Sequence, residues 1–208
     1  MSTTIPARAL APKRERGRTR VAAILDAGGA VFAEKGYDAA TMTEIAARAN
    51  AAIGSLYRFF PTKEVLADAL LDRYWDRLSA ALDDVAERAP RLSPGALADA
   101  LVDLMLGLQS DRAAVVALID ARGDGADKRA ALRGAIRARI ASILGAAIET
   151  LSPAAAHRMA AVLLHVLKGA RALAEEDSKS GDLVAEIRAL LRLYLSQASS
   201  TRAADYGA

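Results

Sequence analysis

Residues 41–63 read TMTEIAARANAAIGSLYRFFPTK, a pattern of two short helices joined by a tight turn, with a third helix starting behind them. Thr41 is a good N-cap, and Glu44 three residues on completes a capping box, in which each side chain satisfies an orphan backbone N–H of the other. A helix therefore starts at Met42. Ile45, Ala46 and Ala49 form its apolar stripe, and Asn50 is one of the few non-glycine residues that tolerates the left-handed conformation ending a helix. A second helix over residues 52–59 buries Leu56 and Phe60 and leaves Ser55, Tyr57 and Arg58 partly outward. Pro61 blocks its continuation, and Thr62 caps the next helix. The unit is a helix-turn-helix.

Outward from this stretch, the composition supports a folded helical protein. The chain has 208 residues, 53% of them hydrophobic, which is enough for a small head and a larger body. The formal net charge is only +3, but Arg8, Lys13, Arg14, Arg16, Arg18 and Arg20 oppose Glu15 alone in the first 20 residues. Such a run suits a flexible arm near phosphates, or a solvated tail. Cysteine is absent, which excludes disulfides and thiolate chemistry. No charge-free run spans a bilayer, and the apolar patches around Arg8 and Lys13 are too short for a signal peptide. The expectation is a cytoplasmic protein with no membrane partner.

A first helix over residues 18–35 buries Val21, Ile24, Leu25, Gly28, Val31 and Phe32, and Gly36 ends it. Gly28 and Gly29 weaken it by roughly 1 kcal/mol each relative to Ala, so they point to a closely packed neighbour. Tyr37 anchors the following loop. A fourth helix from residue 62 carries Leu66, Leu70, Tyr74, Leu78, Leu82 and Val85 until Pro90 and Pro94 interrupt; it is long enough to leave the head and enter the body. A fifth, over 94–108, places Asp99 and Asp103 away from its apolar stripe, on a solvated face. A sixth, over 112–120, is apolar nearly all round and is expected at the centre of the body. A seventh, over 127–150, buries Leu132, Ile136, Ile140, Ile143, Ala147 and Leu151, with Arg133, Arg137 and Arg139 outward. The eighth begins after Ser152 and Pro153, and the ninth follows a break over 175–181. Both have wider apolar faces than one core contact needs, which suggests a second copy of the chain as partner.

Phe32, Gly36, Tyr37, Thr41, Ile45, Ala46, Gly54, Ser55, Leu56, Tyr57, Phe60 and Lys63 together resemble the N-terminal domain of the TetR family of transcriptional regulators. Asn50 stands where that family usually has glycine, Ala51 where it often has valine, and Ile53 where a polar or basic residue is frequent. The resemblance implies an all-α fold of about nine helices. Residues 1–17 would be a basic arm, 18–64 a three-helix DNA-binding domain, and 65–208 a helical bundle for effector binding and dimerisation. It implies a ligand-responsive regulator, most simply a repressor released from a palindromic double-stranded operator by a small apolar or amphipathic effector, and it implies a homodimer.

Carried over by position, Thr43, Ala52, Ile53 and Ser55 face the groove, Tyr57 and Lys63 contact phosphate, and Arg58 contacts guanine or phosphate. The effector cavity of the family would here draw on Trp75, Leu78, Leu104, Met105, Leu108, Gln109, Leu118, Ile140 and His165, each of which also reads as plain core. The dimer contact would draw on Val162, Val166, Ile187, Leu190, Leu191 and Tyr194. Two classes compete with this reading: a helical small-molecule binding protein whose head no longer reads DNA, and an all-helical enzyme. Two histidines and no cysteine make no metal set, and no phosphate-cradling loop or nucleophile with its base is present. No cofactor and no catalytic residue are therefore expected.

Overall fold

A computed structural model describes residues 15–121, 125–176 and 181–204. The described residues form nine α-helices and no strand: α1 (Glu15–Ala39), α2 (Met42–Arg48), α3 (Ile53–Phe59), α4 (Lys63–Arg88), α5 (Pro94–Gly107), α6 (Gln109–Asp120), α7 (Gly125–Ala147), α8 (Pro153–Glu176) and α9 (Asp182–Ala204), with a 3-10 turn at Ala89–Arg91. The expected arm lies outside the described residues except for its last three. Those are helical, because α1 starts at Glu15 rather than at 18. None of the described helices is long and apolar enough to cross a membrane.

The chain forms two compact units. The first takes residues 1–77 and 110–128, the second 78–109 and 129–208. This differs from a division at 64/65 in two ways. The first unit keeps the opening half of α4, and it also takes α6. Ala114 and Leu118 belong to the same buried cluster as Ile24, Phe32, Ile45, Leu56, Phe60 and Leu66, so α6 serves the head's core and not the centre of the body. A helix that is apolar nearly all round fits against any neighbour, and its pattern alone gives no direction.

Within the first unit, α1 and α4 approach closely at glycine. A Cβ at Gly28 would lie 3.3 Å from Leu66 Cδ2, so the missing side chain is what lets the two helices meet, as the two glycines inside α1 suggest. Gly36, at φ 78° and ψ 169°, interrupts α1 in the left-handed region that favours glycine. Arg73 on α4 donates to Asp26 on α1 at 2.7 Å.

Within the second unit, α9 packs on α5 and α8, and α5 packs on α8. Leu97, Leu101 and Val102 on α5, Leu163 and Leu167 on α8, and Ile187, Leu191 and Leu195 on α9 are buried. Asp103 is exposed as expected, whereas Asp99 is half-buried, and both carboxylates are paired. Arg192 of α9 donates to both carboxylate oxygens of Asp99, at 2.8 to 3.1 Å, and Arg188 donates to Asp103. Their partners lie about 90 residues on in the chain, beyond the reach of helical periodicity. Arg133, Arg137 and Arg139 are exposed as expected, and Arg139 pairs with Asp83 of α4.

The Arg192 hydrogen bond holds the Asp99 carboxyl below its ordinary value of 3.8; burial opposes this, and the charges of Arg192 and Arg188 reinforce it. A carboxyl lowered in the folded state adds stability that is present above its unfolded value and is lost as the pH falls through the folded one. Asp99→Asn should therefore destabilise the protein at pH 7 and make less difference at pH 3. Urea midpoints of the two proteins at both pH values check this; an equal gap at pH 7 and pH 3 would remove the ion pair from the packing of α5 on α9.

Candidate nucleic-acid interface

The local chemistry of residues 41–51 fixes where α3 points. Thr41 Oγ1 accepts from the Glu44 N–H at 3.2 Å, and Glu44 Oε2 accepts from the Thr41 N–H at 3.2 Å, so the capping box is complete. At the other end of α2, Asn50 adopts φ 48°. Its N–H donates to the Ala47 carbonyl, and the Ala51 N–H donates to the Ala46 carbonyl at 2.9 Å. This pair of bonds is the Schellman arrangement, with asparagine doing what glycine does more often. Two salt bridges join α1 to α2: Lys35 to Glu44 and Arg48 to Glu34, the latter at 2.6 Å. The Lys35 hydrogen bond, followed by those of Thr41, lowers the Glu44 carboxyl. These hydrogen bonds favour the ionised form of Glu44.

With α2 so held, α3 buries Leu56 and Phe59 and turns its other face outward. Phe60 is buried directly after it. The side chains of Thr43, Ala52, Ile53, Tyr57 and Arg58 are exposed and Ser55 is half-buried. The seven residues expected at a DNA surface thus include six on or beside the outward faces of α2 and α3. Arg58 lies over the Phe59 ring at 4.9 Å. One contributor escaped the sequence reading: Arg20, counted there only as arm charge, extends its guanidinium from α1 to within 3.5 Å of Ser55 Oγ. Arg20 already fell inside the expected first helix, but its approach to α3 joins residues 35 positions apart, beyond what helical periodicity shows.

Lys63 is different. Its ammonium donates to the carbonyls of Tyr37 at 2.8 Å, Asp38 at 3.1 Å and Ala40 at 3.1 Å, and it lies 4.5 Å from the centre of the Tyr37 ring. An ammonium has three donors, so a direct phosphate bond from Lys63 would require giving one up. Its role in this geometry is to close the corner between α1 and α2. The Tyr37 hydroxyl in turn donates to Glu64 at 2.9 Å.

The other expected sites are less coherent. Leu78, Leu108, Leu118 and Ile140 are buried and Leu104 and Met105 half-buried, whereas Trp75 and His165 are exposed. Trp75 and Leu118 belong to the first unit and the rest to the second, and the Gln109 side chain lies outside the described residues. A cleft of about 390 Å³ at Glu149, Thr150, Leu151 and Ser152 contains none of them. His165 Nδ1 pairs with the Ala161 carbonyl at 2.8 Å. Among the expected dimer residues, Val162 and Leu190 are 48% and 55% exposed, Val166 and Tyr194 are half-buried, and Ile187 and Leu191 are buried. Ile187 and Leu191 recur with Leu195 every four residues on the face that α9 turns inward within the chain. Leu193, 71% exposed, lies beside Leu190 on the outer face.

Residues 24–70 match the family model described as bacterial regulatory proteins, tetR family. The chain is 42% identical over 72 residues to the HTH-type transcriptional repressor KstR of Mycolicibacterium smegmatis, a match over 35% of this chain and 35% of that protein. It thus spans about a third of the length of that curated relative. Among solved structures, a TetR-like transcriptional regulator from Rhodococcus sp. RHA1 superposes with a TM-score of 0.63 at 20% identity, over 86% of this chain and 94% of that one. The SmeT–triclosan complex superposes with a TM-score of 0.58 at 24% identity, over 88% and 91%. These two likenesses are of fold.

Because three charge-assisted bonds end on Lys63, Lys63→Ala should lower the stability of the protein by about 1 to 3 kcal/mol. Tyr57→Phe, on an exposed ring, should leave stability unchanged and weaken binding to duplex DNA of any sequence. Thermal unfolding and a duplex titration at fixed salt, run on both variants, separate the two roles. An unchanged melting temperature for Lys63→Ala would mean that the carbonyls hold the corner without it.

Proposed function

We propose that this chain, whose residues 24–70 match the tetR family of bacterial regulatory proteins, is a transcriptional repressor of that family. In this reading it acts in the cytoplasm as a homodimer on a near-palindromic DNA operator and is released by a small apolar or amphipathic effector. The observation that carries the reading is the exposed face of α3, which follows a helix capped at both ends and carries Arg58, with the Arg20 guanidinium reaching Ser55 from α1. A helix presented in this way offers side chains to the major groove while the cations beside it neutralise phosphates. A repressor among the relatives supports the same assignment.

The dimer contact is proposed on the outer faces of α8 and α9, through Val162, Leu190 and Leu193. Large aliphatic side chains this exposed are disfavoured in water, and a second copy of the same hairpin covers them by closed two-fold symmetry. For the effector, the support is the apolar character of the second unit's lining candidates and the triclosan bound by SmeT. Helix α4 supplies Lys63 to the first unit and Leu78 and Leu82 to the second. A ligand that favours one setting of α4 would change the spacing of two α3 helices over half-sites about 34 to 36 Å apart.

Selection from random duplexes followed by titration at stated salt tests the proposal, and a protein that enriches no sequence would refute it. Leu190→Asp with Leu193→Asp should give a folded monomer with weakened operator affinity, whereas Leu191→Asp should unfold the second unit, since it buries an unpaired charge. Sedimentation and circular dichroism distinguish these outcomes. Coupling is reciprocal: an effector that weakens operator binding tenfold must itself bind the operator complex tenfold more weakly, about 1.4 kcal/mol. Calorimetric titration with and without operator measures both sides.

A further inference from the structure

The N-cap and the first two residues of α3 hold no side chain able to exchange a hydrogen bond with a base. Ala52 makes no side-chain cap bond. Ile53 is 41% exposed. Gly54 is exposed, and a Cβ built there would meet no atom within 4 Å. Polar groups begin only at Ser55, which is half-buried and within 3.5 Å of the Arg20 guanidinium. Arg58 follows a turn later, over the Phe59 ring.

Packing does not require Ile53 to be where it is. Leu56 and Phe59 already fill the buried face of this short helix. The other described isoleucines of the first unit, Ile24, Ile45 and Ile119, are all buried. Ile53 is thus an apolar side chain offered outward, beside a glycine that leaves room for close approach, on a surface whose exposed charges at Arg20 and Arg58 attract a polyanion and not an apolar protein face.

We infer that Ile53 reads the C5 methyl group of a thymine, so that each operator half-site carries a T·A pair beneath the start of α3, selected by apolar contact. The inference rests on the DNA-binding reading above. In the major groove the base edges display donors and acceptors, and the thymine methyl is their one apolar feature. A β-branched side chain is stiff about its first torsion, so it meets that methyl at little cost in freedom. No amide or guanidinium at this position competes for a guanine or adenine edge. The methyl group of 5-methylcytosine has the same chemistry and distinguishes methyl contact from hydrogen-bond readout.

The test uses the full chain and the duplex it enriches from a random pool, with each thymine replaced in turn by deoxyuridine, which lacks only the methyl. One thymine per half-site should lose about fourfold in affinity, the factor that burial of a single methyl group supplies. That loss should vanish in Ile53→Ala and be partial in Ile53→Val, while melting temperatures stay equal. At the same position a cytosine should gain affinity on 5-methylation in the wild-type protein only. If no thymine of the enriched duplex shows a methyl effect that depends on Ile53, this inference is wrong although the protein reads DNA. If no duplex is enriched at all, the DNA-binding reading falls first.

Discussion

One ammonium group sets the geometry of the head. The last carbonyls of a helix have no partner within it, and α1 ends with a turn at Gly36 that leaves Tyr37, Asp38 and Ala40 facing the same point. Lys63, the first residue of α4, fills that point. Thr62 beside it caps α4 through the Val65 N–H at 3.2 Å, and the Tyr37 hydroxyl reaches Glu64. The corner between α1 and α2 and the start of α4 are therefore one knot. The chain between them, which carries α3, is held at both ends. The recognition face is positioned by contacts that lie behind it.

The two caps of α2 act with this knot on different degrees of freedom. The Thr41–Glu44 box sets where α2 begins, and the Asn50 turn sets how far the chain rotates before α3. Lys35 and Arg48 hold α2 against α1 through Glu44 and Glu34. Exposed ion pairs of this kind contribute little stability each, but two of them resist a roll of α2 that would carry α3 with it. Arg48 is consumed in that role, which leaves Arg20 and Arg58 as the cations nearest the outward face.

Local chemistry explains why the head was legible in the sequence. A cap needs residues three apart, and the Asn50 turn needs one residue that tolerates positive φ; both signals sit within one short window. Gly28 was legible for the same reason, as a helix-weakening residue with no local excuse. What could not be read was distant or rotational. Asp99 looked solvated because its partner Arg192 lies on the other side of three helices' worth of chain. Leu190 and Leu191 looked equivalent because a wide apolar stripe hides a turn of about 100° between neighbouring residues; only packing on α5 decides that Leu191 is inside and Leu190 outside. Lys63 was expected to contact phosphate; carbonyls leave no mark in a sequence, and its three acceptors could not be seen.

The pairing of α5 with α9 bears on the order in which the chain comes together. As synthesis proceeds from the N-terminus, every residue of the first unit has been made once residue 128 is joined, whereas the second unit still lacks α8 and α9. Helix α5 is by then long finished, with Leu97, Leu101 and Val102 lacking the helices that cover them in the native state. At 5 to 20 residues per second, the stretch from residue 128 to Leu195 takes about 3 to 14 seconds. The newborn protein thus passes through a stage in which a finished head is tethered to a bare apolar helix.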